Sequence, residues 1–134
     1  MKLYGLKPGE AHEVTLPLQK DDKPEDRIVF LVTYLSALDA ARIQDSLYAV
    51  EGWGKNRREE FKTGTMQVEI IKQGLKGWKN FKFEDGNIVD WRDPVGKSAE
   101  EREKVMLDNI DKIPPEGRSE LADIIRGESA SSRE

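Results

Sequence analysis

The sequence predicts an α+β fold: an N-terminal β-hairpin, two central helices, a short aromatic hairpin and two short C-terminal helices. Three observations predict it. Residues 12–18 and 27–35 carry strand patterning on either side of a polar linker. From Ser36 onward, apolar residues recur at helical spacing behind two capping-box signals. Between those two helical regions, Asp85-Gly86 interrupts an aromatic run with a strong hairpin-turn dipeptide.

In "HEVTLPL" (12–18), Val14, Leu16 and Leu18 alternate with Glu13, Thr15 and Pro17, the pattern of a half-buried strand. Pro17 places that strand at a sheet edge. In "RIVFLVTYL" (27–35), Ile28, Phe30, Val32 and Tyr34 share one face, and Val29, Leu31 and Leu35 share the other. Its β-branched and aromatic content predicts a well-covered strand. The linker "QKDDKPED" reads as a mobile surface loop closing an open hairpin.

Ser36 opens the first helix, with Asp39 in the favoured first turn. Ala40, Ile43, Leu47 and Val50 form its stripe, and Gly52 and Gly54 end it. The spacing predicts a second helix from about Arg58 to Lys76. Phe61, Val68, Ile71, Leu75 and Trp78 lie on its apolar stripe, and Gly77 is its C-terminal cap. The hairpin that follows is expected to turn at Asp85 and Gly86, with Gly86 at positive φ and Phe83 packed against Ile88. Ser98 caps a third helix with Val105, Met106 and Ile110 inward. Pro114-Pro115 separates it from a last helix carrying Leu121, Ile124 and Ile125, which Gly127 caps. Residues 1–127 are read as one domain and "ESASSRE" (128–134) as a polar tail.

The totals bound the function. The chain has 134 residues, 37% apolar and 36% charged, with a net charge of −4. That balance argues against a nucleic-acid binder, which usually presents a basic face. Without cysteine, disulfides and thiolate metal sites are impossible. The first ten residues lack the apolar run of a signal peptide, and Ile28 to Val32 is far too short to span a bilayer. A soluble cytoplasmic protein is expected, with no membrane partner.

Catalytic and metal constellations are incomplete. Gly96-Lys97-Ser98 precedes a helix, the context of a phosphate-binding loop, but Trp91 stands where that loop needs its first glycine. Ser98 is better read as a helix cap. His12 is the only histidine. Glu84, Asp85, Asn87 and Asp90 lack calcium-loop spacing, since Arg92 stands where the closing glutamate belongs. Lys55, Arg57 and Arg58 are followed at once by two glutamates, which dilute their field. No enzyme, cofactor or metal is predicted.

The aromatic segment remains. Trp78, Phe81 and Phe83 read as core residues, since large aromatics dominate the burial of a small domain. Trp91 also reads as a core residue, but it is the one expected to be partly exposed, which leaves an interface role open to it. With Arg92 it forms a pair of the type enriched at binding hot spots. Tyr4 and Leu6, in an N-terminus that cannot build a core alone, join them as candidate partner-binding residues.

The stretch "GLKGWKNFKFEDGNIVDW" resembles a segment of small proteins encoded among the head and tail genes of tailed bacteriophages. Gly77-Trp78-Lys79-Asn80-Phe81 and Glu84-Asp85-Gly86 carry the resemblance, between a helix and a short helical C-terminus. The opening "MKLYGLKPGEAHEVTLPL" is similar in being a short β region before a helix. The proline-rich continuation usual after the turn is replaced by "NIVDWRDP". The resemblance implies a non-enzymatic morphogenesis protein, either a tail assembly chaperone or a minor virion component at the neck or capsid. Its partners would be other phage structural proteins, including copies of itself. It would act in the host cytoplasm during assembly or stay in the virion. The alternative is a small ligand-binding or regulatory protein of the bacterial cytoplasm.

Overall fold

The computed structural model describes residues 3, 5, 9–48 and 55–127, of which 46–48 and 55–63 as backbone. Tyr4, Leu6, Val50, Gly52, Gly54 and the tail 128–134 lie outside the described residues, as do the side chains of Leu47 and Phe61.

The fold is α+β. Strands β1 (His12–Val14), β2 (Val29–Val32) and β3 (Leu75–Lys79) form one antiparallel sheet in the order β1-β2-β3. Helices α1 (Ala37–Tyr48), α2 (Lys55–Gly74), α3 (Ala99–Asp111) and α4 (Pro115–Ile125) complete it. Helix α2 packs against the other three helices. None of the described helices is long and apolar enough to cross a membrane.

β1 is an edge strand, but shorter than the alternation suggests. Pro17 opens a 3-10 turn (Pro17–Gln19) instead of continuing the strand, because its fixed φ suits a helical first turn and it has no N–H for a ladder. Leu18 is thereby turned out to 52% exposure, not inward with Val14 and Leu16. The linker is ordered by its own chemistry. Arg27 donates to the carbonyls of Asp22 and Lys20, and a second 3-10 turn runs from Pro24 to Asp26. Asn80, at φ 60°, donates to the carbonyls of Glu25 and Arg27 and ties the linker to the end of β3. Asparagine tolerates that left-handed backbone.

The expected α2 boundary needs correction. The helix ends at Gly74 and passes directly into β3, so Leu75 and Trp78 are strand residues and Gly77 is no cap. The register explains the error. Val32 faces Leu75 and Leu31 faces Gly77, so Lys76 is an extra residue in a β-bulge. The bulge returns Leu75 and Trp78, three positions apart, to one face, opposite Val32 and Phe30. A bulged strand here copies the i, i+3 spacing of a helix.

That face joins the core, where Phe30, Val32, Leu75, Ile71, Leu121 and Ile125 are almost wholly buried. Phe30, Trp78 and Phe81 meet edge to face, with centroids 5.0 to 6.5 Å apart. Such contacts add to what burial alone supplies. The helix caps are as expected. Ser36 Oγ accepts from the Asp39 amide at 3.1 Å, and Ser98 Oγ from the Glu101 amide at 3.2 Å. Pro114 precedes α4, and Gly127 follows it at φ 83°.

The aromatic hairpin turns at Asp85-Gly86, and Gly86 has φ 90°. Its register is one residue from the expected one. The Gly86 amide donates to the Phe83 carbonyl, and the Phe83 amide to the Asn87 carbonyl. This is a three-residue loop with glycine in the left-handed position. Lys82 therefore faces Ile88, and Phe83 lies opposite Asn87. Phe83 and Ile88 are therefore not the cross-strand partners expected, and Phe83 is not a core residue; they are 46% and 69% exposed.

Candidate functional site

The segment from Val89 to Ser98 has no regular structure, yet side chains hold it at each step. Trp78 Nε1 donates to the Val89 carbonyl at 2.8 Å. Trp91 stacks edge-on against Trp78, with centroids 4.9 Å apart, and is half-buried against the core. The next residue is clamped through its backbone. Asn109, 1% exposed inside α3, accepts from the Arg92 amide at 3.1 Å and donates to the Arg92 carbonyl at 2.9 Å. The Arg92 side chain reaches Asp108 at 2.9 Å. Hydrogen bonds from Arg92 and Lys112 hold the Asp108 carboxyl below its ordinary pKa. Asp93 then accepts from the Val95 amide, and Gly96, at φ 81°, completes the turn that leads to the Ser98 cap.

This segment forms one wall of an open groove of about 680 Å³, opposite the end of α2, β3 and one face of α3. Leu75, Trp91, Pro94, Val95 and Met106 supply its apolar lining. Val95 stands 79% exposed at the edge. Lys72, Lys76 and Arg102 supply positive charge, against Glu103. Lys72 contacts Glu69 at 2.8 Å and Glu103 at 2.9 Å. Burial pushes its ammonium pKa down, but those two hydrogen bonds and charges outweigh burial and leave it above the ordinary lysine value. Lys76 and Arg102 make no ion pair among the described residues. The bulge directs Lys76 to the groove, a common use of bulges.

Sequence reasoning placed Trp91 and Arg92 together, and both lie at this site, Trp91 lining the groove and Arg92 pinned beside it. Trp78 and Phe81 are core residues, 8% and 6% exposed, whereas Phe83 is not. Asp85 braces the turn by accepting from the Asn87 amide and side chain. Tyr4 and Leu6 lie outside the described residues. Asn109 was missed. Its signal was a polar residue on the apolar stripe of α3, between Met106 and Ile110. Lys76 and Val95 carried no signal, because a bulge and a loop edge are set by tertiary contacts.

Two polar groups of the Gly96-Lys97-Ser98 segment are used internally. The Lys97 amide donates to the Pro94 carbonyl, and Ser98 caps α3. Among the described residues, no three His, Asp or Glu side chains are grouped to hold a metal ion. No family profile, curated protein or solved structure matches the chain.

Proposed function

We propose that this chain is a non-enzymatic protein-binding factor of tailed-phage particle assembly, and that it binds through the groove beside Trp91. One observation carries the binding role. A half-exposed tryptophan is held rigid from both sides, by Trp78 and by the Asn109 clamp, at the wall of an open groove with apolar lining. A pre-positioned aromatic loses little freedom on binding, which is why such groups become hot spots. Support for the phage setting is the resemblance of Gly77 to Phe81 and Glu84 to Gly86.

The test is genetic and analytical. A phage that encodes the chain is compared with one carrying an early stop codon in it. Loss of particle yield without the chain is expected, and unchanged yield contradicts the reading. Mass spectrometry of wild-type virions then separates its two forms. Stoichiometric presence marks a virion component; absence marks a chaperone that leaves.

A ligand-binding regulator has one observation on its side. An apolar hollow of about 230 Å³ lies among Leu16, Ile28, Phe30, Ile113 and Gly117, beside Gln19, whose buried Oε1 has no partner among the described residues. A thermal-shift screen with small amide- and indole-bearing compounds tests it; stabilisation lost in Gly117→Leu would favour it over the assembly role.

A further inference from the structure

We infer that the groove beside Trp91 receives the tip of the 81–89 hairpin of a second copy of this chain, so that copies assemble head to tail. The inference rests on the reading of that groove as a protein-docking surface. It adds the identity of the occupant.

Both halves of the contact are on one molecule. The hairpin tip exposes Phe83 at 46% and Ile88 at 69%, two large apolar side chains that the described residues leave uncovered. Between them stand Glu84 and Asp85, both exposed. The turn that presents them is braced by the Asp85–Asn87 hydrogen bonds and by the Gly86 amide bonded to Phe83. The groove offers the complement. Its lining of Trp91, Val95 and Met106 can bury an aromatic ring. Among the described residues, Lys76 and Arg102 are two cations without carboxylate partners, matched in number to the two carboxylates of the tip. Lys72 and Glu103 are already satisfied by each other and Glu69.

The tip residues do not line their own groove, so the complementary surface must belong to another molecule. A tip-in-groove contact uses two different patches. It is therefore heterologous: a pair of copies retains one free tip and one free groove, and growth ends only if the chain of copies closes into a ring. The charge match also sets the register and makes the contact salt-sensitive.

The experiment is sedimentation of purified full-length protein from about 10 to 500 µM, with two surface variants. Lys76→Glu with Arg102→Glu disables the groove and leaves the tip. Phe83→Asp with Ile88→Asp disables the tip and leaves the groove. All four residues are exposed, and thermal melts confirm folding. Wild type is expected to grow with concentration beyond a dimer or into a closed ring, and to dissociate at high salt. Each variant alone is expected to be monomeric, its dissociation constant raised by more than about tenfold. Mixed together, they should form a one-to-one dimer that cannot grow, because only one good tip meets one good groove. Wild type that stays monomeric throughout overturns the inference. So does a variant that still assembles alone, or a mixture that stays monomeric. If wild type is monomeric while Val95→Asp still abolishes particle assembly, the inference fails and the docking reading stands.

Discussion

Asn109 satisfies both backbone polar groups of Arg92, which lies 17 residues earlier in the chain. Removing its amide leaves a backbone N–H and a carbonyl beside a buried site with no protein partner. Asn109→Ala should therefore lower stability by about 2 kcal/mol, read by chemical denaturation. It should also loosen Trp91, seen as faster hydrogen exchange at the Arg92 amide. Gly74 is constrained by space: a Cβ there would stand 2.4 Å from Ile125 Cγ2, and Ile125 is wholly buried. Gly74→Ala should cost about 1–3 kcal/mol by overpacking. Asp108 supplies a pH signature. Its folded pKa is depressed, first by the hydrogen bond from Arg92. Its contribution is thus present above the unfolded carboxylate pKa and lost as pH falls through the folded one. The melting-temperature gap between wild type and Asp108→Asn should be widest near neutral pH and close in acid. At this scale the sequence was partly legible. Trp91 and Arg92 stood out by type and adjacency, but Asn109 resembles any polar residue in a helix until the backbone it grips is known.

Helix starts and stops were the most legible elements, because a cap is a local interaction. Ser36, Ser98, Pro114 and Gly127 each do what their sequence position implied. Ser98→Ala should cost about 1 kcal/mol through loss of the cap to Glu101, measured by urea midpoint. The α2–β3 junction was not legible. No glycine-rich loop separates the elements, and the Lys76 bulge gives the strand a helix-like period. Deleting Lys76 should be tolerated about as well as Lys76→Ala. Deletion removes the bulge and leaves Leu75 and Trp78 two positions apart, still on one face of a regular strand, and the substitution keeps the register. Far-UV circular dichroism of the two variants checks this. The hairpin turn was legible as a turn but not in register, since Asp-Gly suits both two- and three-residue loops. At φ 90°, Gly86→Val should cost more than about 1 kcal/mol, because a β-branched residue resists the left-handed region. An unchanged melt would contradict that.

At the scale of the whole molecule, α+β was legible because strand patterning precedes the helical patterning at the N-terminus, although β3 lies between α2 and α3. The packing of α2 against the other three helices was not, since an amphipathic stripe does not name its partner. The groove belongs to the same class: Leu75, Trp91, Val95 and Met106 come from separated parts of the chain and meet only in the folded state. Its proposed role is best tested away from Trp91 itself, because Trp91→Ala also removes a contact with Trp78 and so disturbs the fold. Val95, 79% exposed at the groove edge, avoids that problem. The direct measurement is particle yield when a phage lacking the chain is complemented with wild type or Val95→Asp. Val95→Asp is expected to melt like wild type yet fail to restore particles, whereas full restoration by a folded Val95→Asp would contradict the proposed role of the groove.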